Sequence, residues 1–206
     1  GDTADTRVAI IDDVVVTASV DTTLTFTISG VASGQPNANG EAGTTAVTTT
    51  STSIPWGTLS PATAKTARQD LAVTTNARNG FTVTIFQDQN LTSSTGADID
   101  NFKDDNGQLT PLVWAVPTGT LDLENTYGHM GLTSTDDINS SEFGAALYAA
   151  IGTSTPRSIF SHTGPADGST ANKGATEIGF KIGIKALQEA GQDYTNTLTY
   201  IATPTF

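Results

Sequence analysis

Residues 22–28 read Thr22-Thr23-Leu24-Thr25-Phe26-Thr27-Ile28, three large apolar side chains alternating with threonines. Successive side chains of a strand point to opposite faces, so this period of two predicts one face on a core and one hydroxyl-bearing face outside. The pattern recurs at residues 81–87. It recurs again at 177–184, where Ile178, Phe180, Ile182 and Ile184 oppose Gly179, Lys181 and Gly183. Near the end of the chain, Leu198, Tyr200 and Ala202 oppose Thr197, Thr199 and Ile201.

Composition extends this reading to the whole chain. Of 206 residues 38 are threonine, a β-branched residue suited to half-exposed strand faces, and 20 glycines and eight prolines punctuate the Thr/Val runs. No helical pattern is long enough for a βαβ crossover. Nine or ten strands are expected, in an all-β fold: an antiparallel two-sheet β-sandwich of jelly-roll or immunoglobulin-like type, with long loops. Residues 21–206 are read as a single sandwich domain, preceded by an N-terminal strand segment at residues 1–20.

Other segments carry weaker signals. Residues 7–20 hold two apolar runs interrupted by Asp12-Asp13, the pattern of a strand buried on both faces and kinked at the aspartates. Residues 70–75 and 81–87 flank Asn76-Ala77-Arg78-Asn79-Gly80, and strands around an Asn-Gly step predict a hairpin. Residues 44–53 read as a Thr-rich edge strand, with a flexible, glycosylated Thr/Ser tract as the alternative, 29–43, 91–109 and 164–174 as loops, and 111–116 as a strand. Residues 141–151 fit either a short helix or a small-residue strand. Trp56 and Trp114 are expected in the core.

Charge excludes several functions. There are 21 acidic and nine basic side chains, a net charge of −12, and the cations are scattered, which disfavours nucleic acid. No apolar stretch is long enough to span a membrane. Without cysteine there is no disulfide, thiolate metal site or thiol nucleophile. Charged residues are 15% of the chain against about 25% in ordinary domains, and with the threonine excess this composition points to a secreted, extracellular or cell-surface protein. The chain opens Gly1-Asp2-Thr3 with no leader-like segment, as expected after removal of a leader or trimming of the chain.

Chemistry-bearing motifs are few. His129 and His162 are the only histidines, no nucleophile elbow, dinucleotide or phosphate-binding loop occurs, and no enzymatic activity is expected. The acidic stretch at residues 98–107 offers Asp98, Asp100, Asp104, Asp105 and Asn106 as candidate calcium ligands, because hard cations take six to eight oxygens from closely spaced Asp and Asn. Phe102 interrupts the usual calcium-loop spacing, and a solvated acidic loop is the alternative. Asn90-Leu91-Thr92 and Asn139-Ser140-Ser141 match the glycosylation acceptor pattern.

Several segments together resemble a known group. Residues 54–59 (IPWGTL), the stretch DLAVTTNA at 70–77 followed by GFTVT at 80–84, and the ending AGQDYTNTLTY at 190–200 are similar to secreted bacterial β-sandwich surface and fibre proteins. Related endings occur in the TasA and camelysin fibre group and in WxL-type wall-associated proteins; the chain lacks the WxL signature itself. The resemblance implies a non-enzymatic structural subunit of a filament, tube or surface layer, whose N-terminal strand is donated to the next copy. Val8, Ile10, Val14 and Val16 are then the side chains expected to fill a neighbour's groove, with copies of the chain itself as partners. A monomeric adhesin or carbohydrate-binding module, with surface glycans as partner and exposed aromatics around Trp114 or Tyr127, is the competing expectation.

Overall fold

The computed structural model describes residues 1–3, 15–105, 107–136 and 142–206. Among them the chain is all-β, with twelve strands and a single 3-10 turn. The strands are β1 (Leu24–Gly30), β2 (Lys65–Thr75), β3 (Phe81–Gln87), β4 (Leu91–Thr92), β5 (Asp98–Asn101) and β6 (Leu112–Val113), followed by the turn Glu124–Thr126. Then come β7 (Gly128–Ser134), β8 (Leu147–Tyr148), β9 (Arg157–His162), β10 (Ala166–Asp167), β11 (Ala175–Ile184) and β12 (Leu198–Pro204).

A large sheet runs in the order β1-β2-β11-β7-β5-β4, with β10 also on β2; a second sheet runs β12-β3-β9, and β6 pairs with β8. The large sheet is mixed. Asp100 and Asn101 of β5 lie parallel to His129 and Met130 of β7, so the purely antiparallel arrangement expected from sequence is corrected at this edge. A parallel pair needs a long connection, and here the 26 residues between β5 and β7 supply it.

The alternating segments form strands as their pattern requires. In β11 Ile178, Phe180 and Ile182 are buried and join Leu132 of β7, Leu71 and Val73 of β2, and Val83, Ile85 and Phe160 of β3 and β9 in one apolar core. Phe81 and Phe160 meet edge-to-face at 4.8 Å between centroids.

The expected hairpin between residues 70–75 and 81–87 does not form. Strand β2 pairs with β1, β10 and β11, whereas β3 pairs with β12 and β9, so residues 76–80 cross from one sheet to the other. A two-residue hairpin turn of the Asn-Gly type needs positive φ at both central residues. Within 76–80 only Gly80 has it, at 81°. A Cβ on Gly80 would lie 1.7 Å from the His162 carbonyl oxygen, and Ala77 is buried beneath the crossing.

Other expectations also change. Residues 44–53 form no strand; instead Thr45 and Thr49 are buried and their hydroxyls bind backbone, Thr49 Oγ1 donating to the Arg68 carbonyl at 2.6 Å. Of the strand expected over residues 7–20, residues 15–20 are exposed and form none, and the rest lie outside the described residues. Strands appear where loops were expected, at β4, β5 and β10, and the central β7, at residues for which no strand was expected, is buried along its whole length.

The second face of the large sheet is covered too. Gly131, Gly179 and Gly183 line it, and a Cβ at each would come within 3.0 Å of Phe102 Cβ, 3.0 Å of Ala38 Cβ and 3.3 Å of the Trp114 ring. Lacking side chains, these strand positions let loops dock directly on the backbone. There Phe102 stacks on Trp114 at 5.3 Å, and Lys181 pairs with Glu41 at 2.6 Å beneath the rings of Trp114 and Tyr148.

Candidate functional site

Two places on the large sheet depart from ordinary packing, one at each end of the strand order. At the β5 end, Asp98 and Asp100 sit two residues apart in a strand and therefore project to the same face. The turn before β7 brings Glu124 against them, and one carboxylate oxygen from each of the three lies within 4.8 Å of the others. Among the described residues this is the one group of three or more such side chains.

The chemistry of this corner is strained by like charge. Asp100 is 4% exposed. Its Oδ1 accepts from Asn90 Nδ2 at 3.0 Å, whereas its Oδ2 is buried with no hydrogen-bond partner. Asn90 Nδ2 also donates to Asp98 Oδ2 at 3.1 Å. Burial, and then the charges of Asp98, Asp105, Glu124 and Asp104, push the Asp100 carboxyl up to about 7. A hydrogen bond with the Asp98 carboxyl, then burial and the charges of Asp98 and Glu189, push Glu124 up to about 7 as well. None of the four Lys or Arg ion pairs among the described residues, nor the His129–Asp104 contact, includes these three acids. An open groove of ≈ 520 Å³, lined in part by Asn90, Asp98, Asn101 and Asp105, reaches the corner from solvent.

The other acids of the stretch separate from this group. Asp104 turns to the fully buried His129, with its Oδ1 3.1 Å from Nδ1. The His129 Nε2 lies 2.9 Å from the Ala115 carbonyl, and Nδ1 also lies 3.3 Å from the Asp104 backbone nitrogen. Burial lowers the His129 pKa. Asp105 is exposed, with φ of 51°, and Asn106 lies outside the described residues. Glu124 has no signal in the sequence, being 24 positions from Asp100 and brought in only by the fold. Asn90, the first glycosylation acceptor match, has its amide committed to Asp98 and Asp100, and Asn139 lies outside the described residues.

At the opposite end, among the described residues, β1 has a ladder only to β2, and in the second sheet β12 has one only to β3. Leu24, Phe26 and Ile28 of β1 and Leu198, Tyr200 and Ala202 of β12 pack on the core but stay half-buried, unlike Val73, Val83 and Ile85 one strand inward. Phe26 and Tyr200 approach to 6.3 Å, so the two edges border one seam. Just before β1, Asn76 clamps the chain: its Oδ1 accepts from the Thr23 N–H and its Nδ2 donates to the Asp21 carbonyl, both at 2.8 Å. Beyond the clamp Val15, Val16 and Val20 are 84%, 87% and 84% exposed. Val8, Ile10 and Val14 lie outside the described residues.

The tryptophans and Tyr127 serve packing. Trp114 is half-buried among Phe102, His129 and Tyr148, Tyr127 is buried, and Trp56 is half-buried against the core. No helix among the described residues is long and apolar enough to cross a membrane. No protein-family model, curated protein or solved structure matches the chain.

Proposed function

We propose that the chain is a non-enzymatic, self-assembling structural subunit of an extracellular filament, tube or surface layer, built on a β-sandwich and linked by exchange of its N-terminal strand. In this reading residues 7–20 of one copy enter the seam between β1 and β12 of the next. The observation that carries it is the pairing of exposed Val15, Val16 and Val20 with a half-buried apolar seam on the same chain. Exposed β-branched valines gain about 25 cal/mol for each Å² of apolar surface they bury, and an edge strand offers unpaired N–H and C=O groups to an incoming strand. Main-chain hydrogen bonds then give affinity, and alternate side chains such as Val8, Ile10, Val14 and Val16 give register. The resemblance of residues 54–59, 70–84 and 190–200 to bacterial fibre proteins agrees with it.

Such a contact is head-to-tail and does not close on itself, so it generates polymers rather than dimers. It also replaces what disulfides do in other extracellular proteins, in a chain with no cysteine. The test is electron microscopy and sedimentation of the full chain beside Val16→Asp. The parent is expected to form ordered polymers and the variant to stay monomeric with an unchanged circular dichroism spectrum. Equal polymerisation of both, or of neither, contradicts the reading.

A further inference from the structure

We propose that Asp98, Asp100 and Glu124 form a calcium site that closes the acidic end of the large sheet. Two observations meet there. Ligand oxygens bound at about 2.4 Å to one calcium ion can be at most about 4.8 Å apart, and the three carboxylate oxygens already satisfy that limit. Independently, Asp100 Oδ2 is buried with no partner, an arrangement that costs free energy unless a cation or donor completes it.

The surroundings suit a hard cation. All three side chains offer oxygen ligands, and Gln188 Nε2 holds the Asp98 backbone by donating to its carbonyl at 2.8 Å. No protein cation neutralises the cluster through an ion pair among the described residues. The groove beside Asp98 and Asp105 gives an entry path and room for water ligands. The cation would tie β5 to the turn Glu124–Thr126, whose carboxylates repel one another once they are ionised. This inference stands apart from the assembly reading, since it concerns a single copy.

The test is calorimetric titration of the full chain with calcium chloride, and thermal unfolding in calcium and in chelator. One ion per chain and a raised unfolding midpoint in calcium are expected. Asp98→Asn and Glu124→Gln should each weaken binding by roughly tenfold or more, because affinity follows ligand charge. Asp193→Asn, an acid outside the cluster, should leave binding as it is. Glu124→Gln carries a second signature. In chelator it should unfold at a higher temperature than the parent, because like-charge repulsion is relieved, and it should gain less from calcium than the parent does. Absence of calcium binding by the parent overturns the proposal. So does binding that survives both substitutions, or a Glu124→Gln variant less stable than the parent in chelator.

Discussion

The two ends of the large sheet have opposite deficits. At the β1 end the side chains are apolar or hydroxyl-bearing, and among the described residues the outer edge has no backbone partner while Leu24, Phe26 and Ile28 are only half-buried. At the β5 end the strand is short and covered, and what is missing is positive charge for Asp98, Asp100 and Glu124. An apolar, hydrogen-bonding edge is complemented by another strand, whereas an acidic one is complemented by an ion. On the proposals made above, the difference would give one chain two distinct contacts, one for a copy of itself and one for a solute.

Substitutions can break or sharpen this contrast. The largest effect on stability is expected in the closed core between the ends: Phe180→Ala, at a fully buried position, should cost about 3–5 kcal/mol by urea denaturation. Phe26→Ala, at the half-buried seam, should cost the isolated subunit roughly half of that or less, because partly exposed apolar area contributes in proportion. Its larger effect should be on polymer yield. If Phe26→Ala destabilises the monomer as much as Phe180→Ala, the seam is not open.

Next in size is Gly80→Ala. The positive φ and the close approach of the His162 carbonyl should together cost about 2 kcal/mol or more, read as a lower urea midpoint with unchanged slope. A neutral result would mean that the crossing between sheets can relax into the hairpin the sequence suggests.

The smallest effect belongs to the exposed turn after β10. The Asp167 carboxylate accepts from the backbone N–H groups of Ser169 and Thr170 and from the Thr170 hydroxyl, which holds its pKa well below the ordinary carboxylate range. A folded pKa below the unfolded value of about 3.9 means that the stabilisation is present above that pH and is lost as pH falls toward the folded value. Asp167→Ala should therefore be slightly less stable than the parent at neutral pH, and the difference should vanish in strong acid. A difference that persists in strong acid would assign the effect to packing rather than charge.

Much of the fold was legible because one-sided strands advertise themselves. Leu24-Thr25-Phe26-Thr27-Ile28 in β1, the alternation in β3, and Ile178, Phe180 and Ile182 in β11 all fall where period two puts them. Strand β7 was not legible: it is buried on both faces, so His129, Gly131 and Thr133 between its apolar residues face a second layer instead of water. The parallel β5, reading Asp98-Ile99-Asp100-Asn101, looks like a loop because acids rarely line a buried strand. At the acidic corner, Asp98 and Asp100 were legible from their spacing. Glu124 was not, since only tertiary contact joins it to them, and Asp104 is diverted by His129.

Strand exchange between copies is tested most directly by cross-linking, for which a chain without native cysteine is well suited. Val16→Cys would be combined in turn with Thr25→Cys, Phe26→Cys and Thr27→Cys on β1, oxidised under polymerising conditions and run without reductant. A ladder of covalent multimers in at least one combination is the expected result. Only intramolecular cross-links, or none in any combination, would contradict donation of the N-terminal strand to a neighbour.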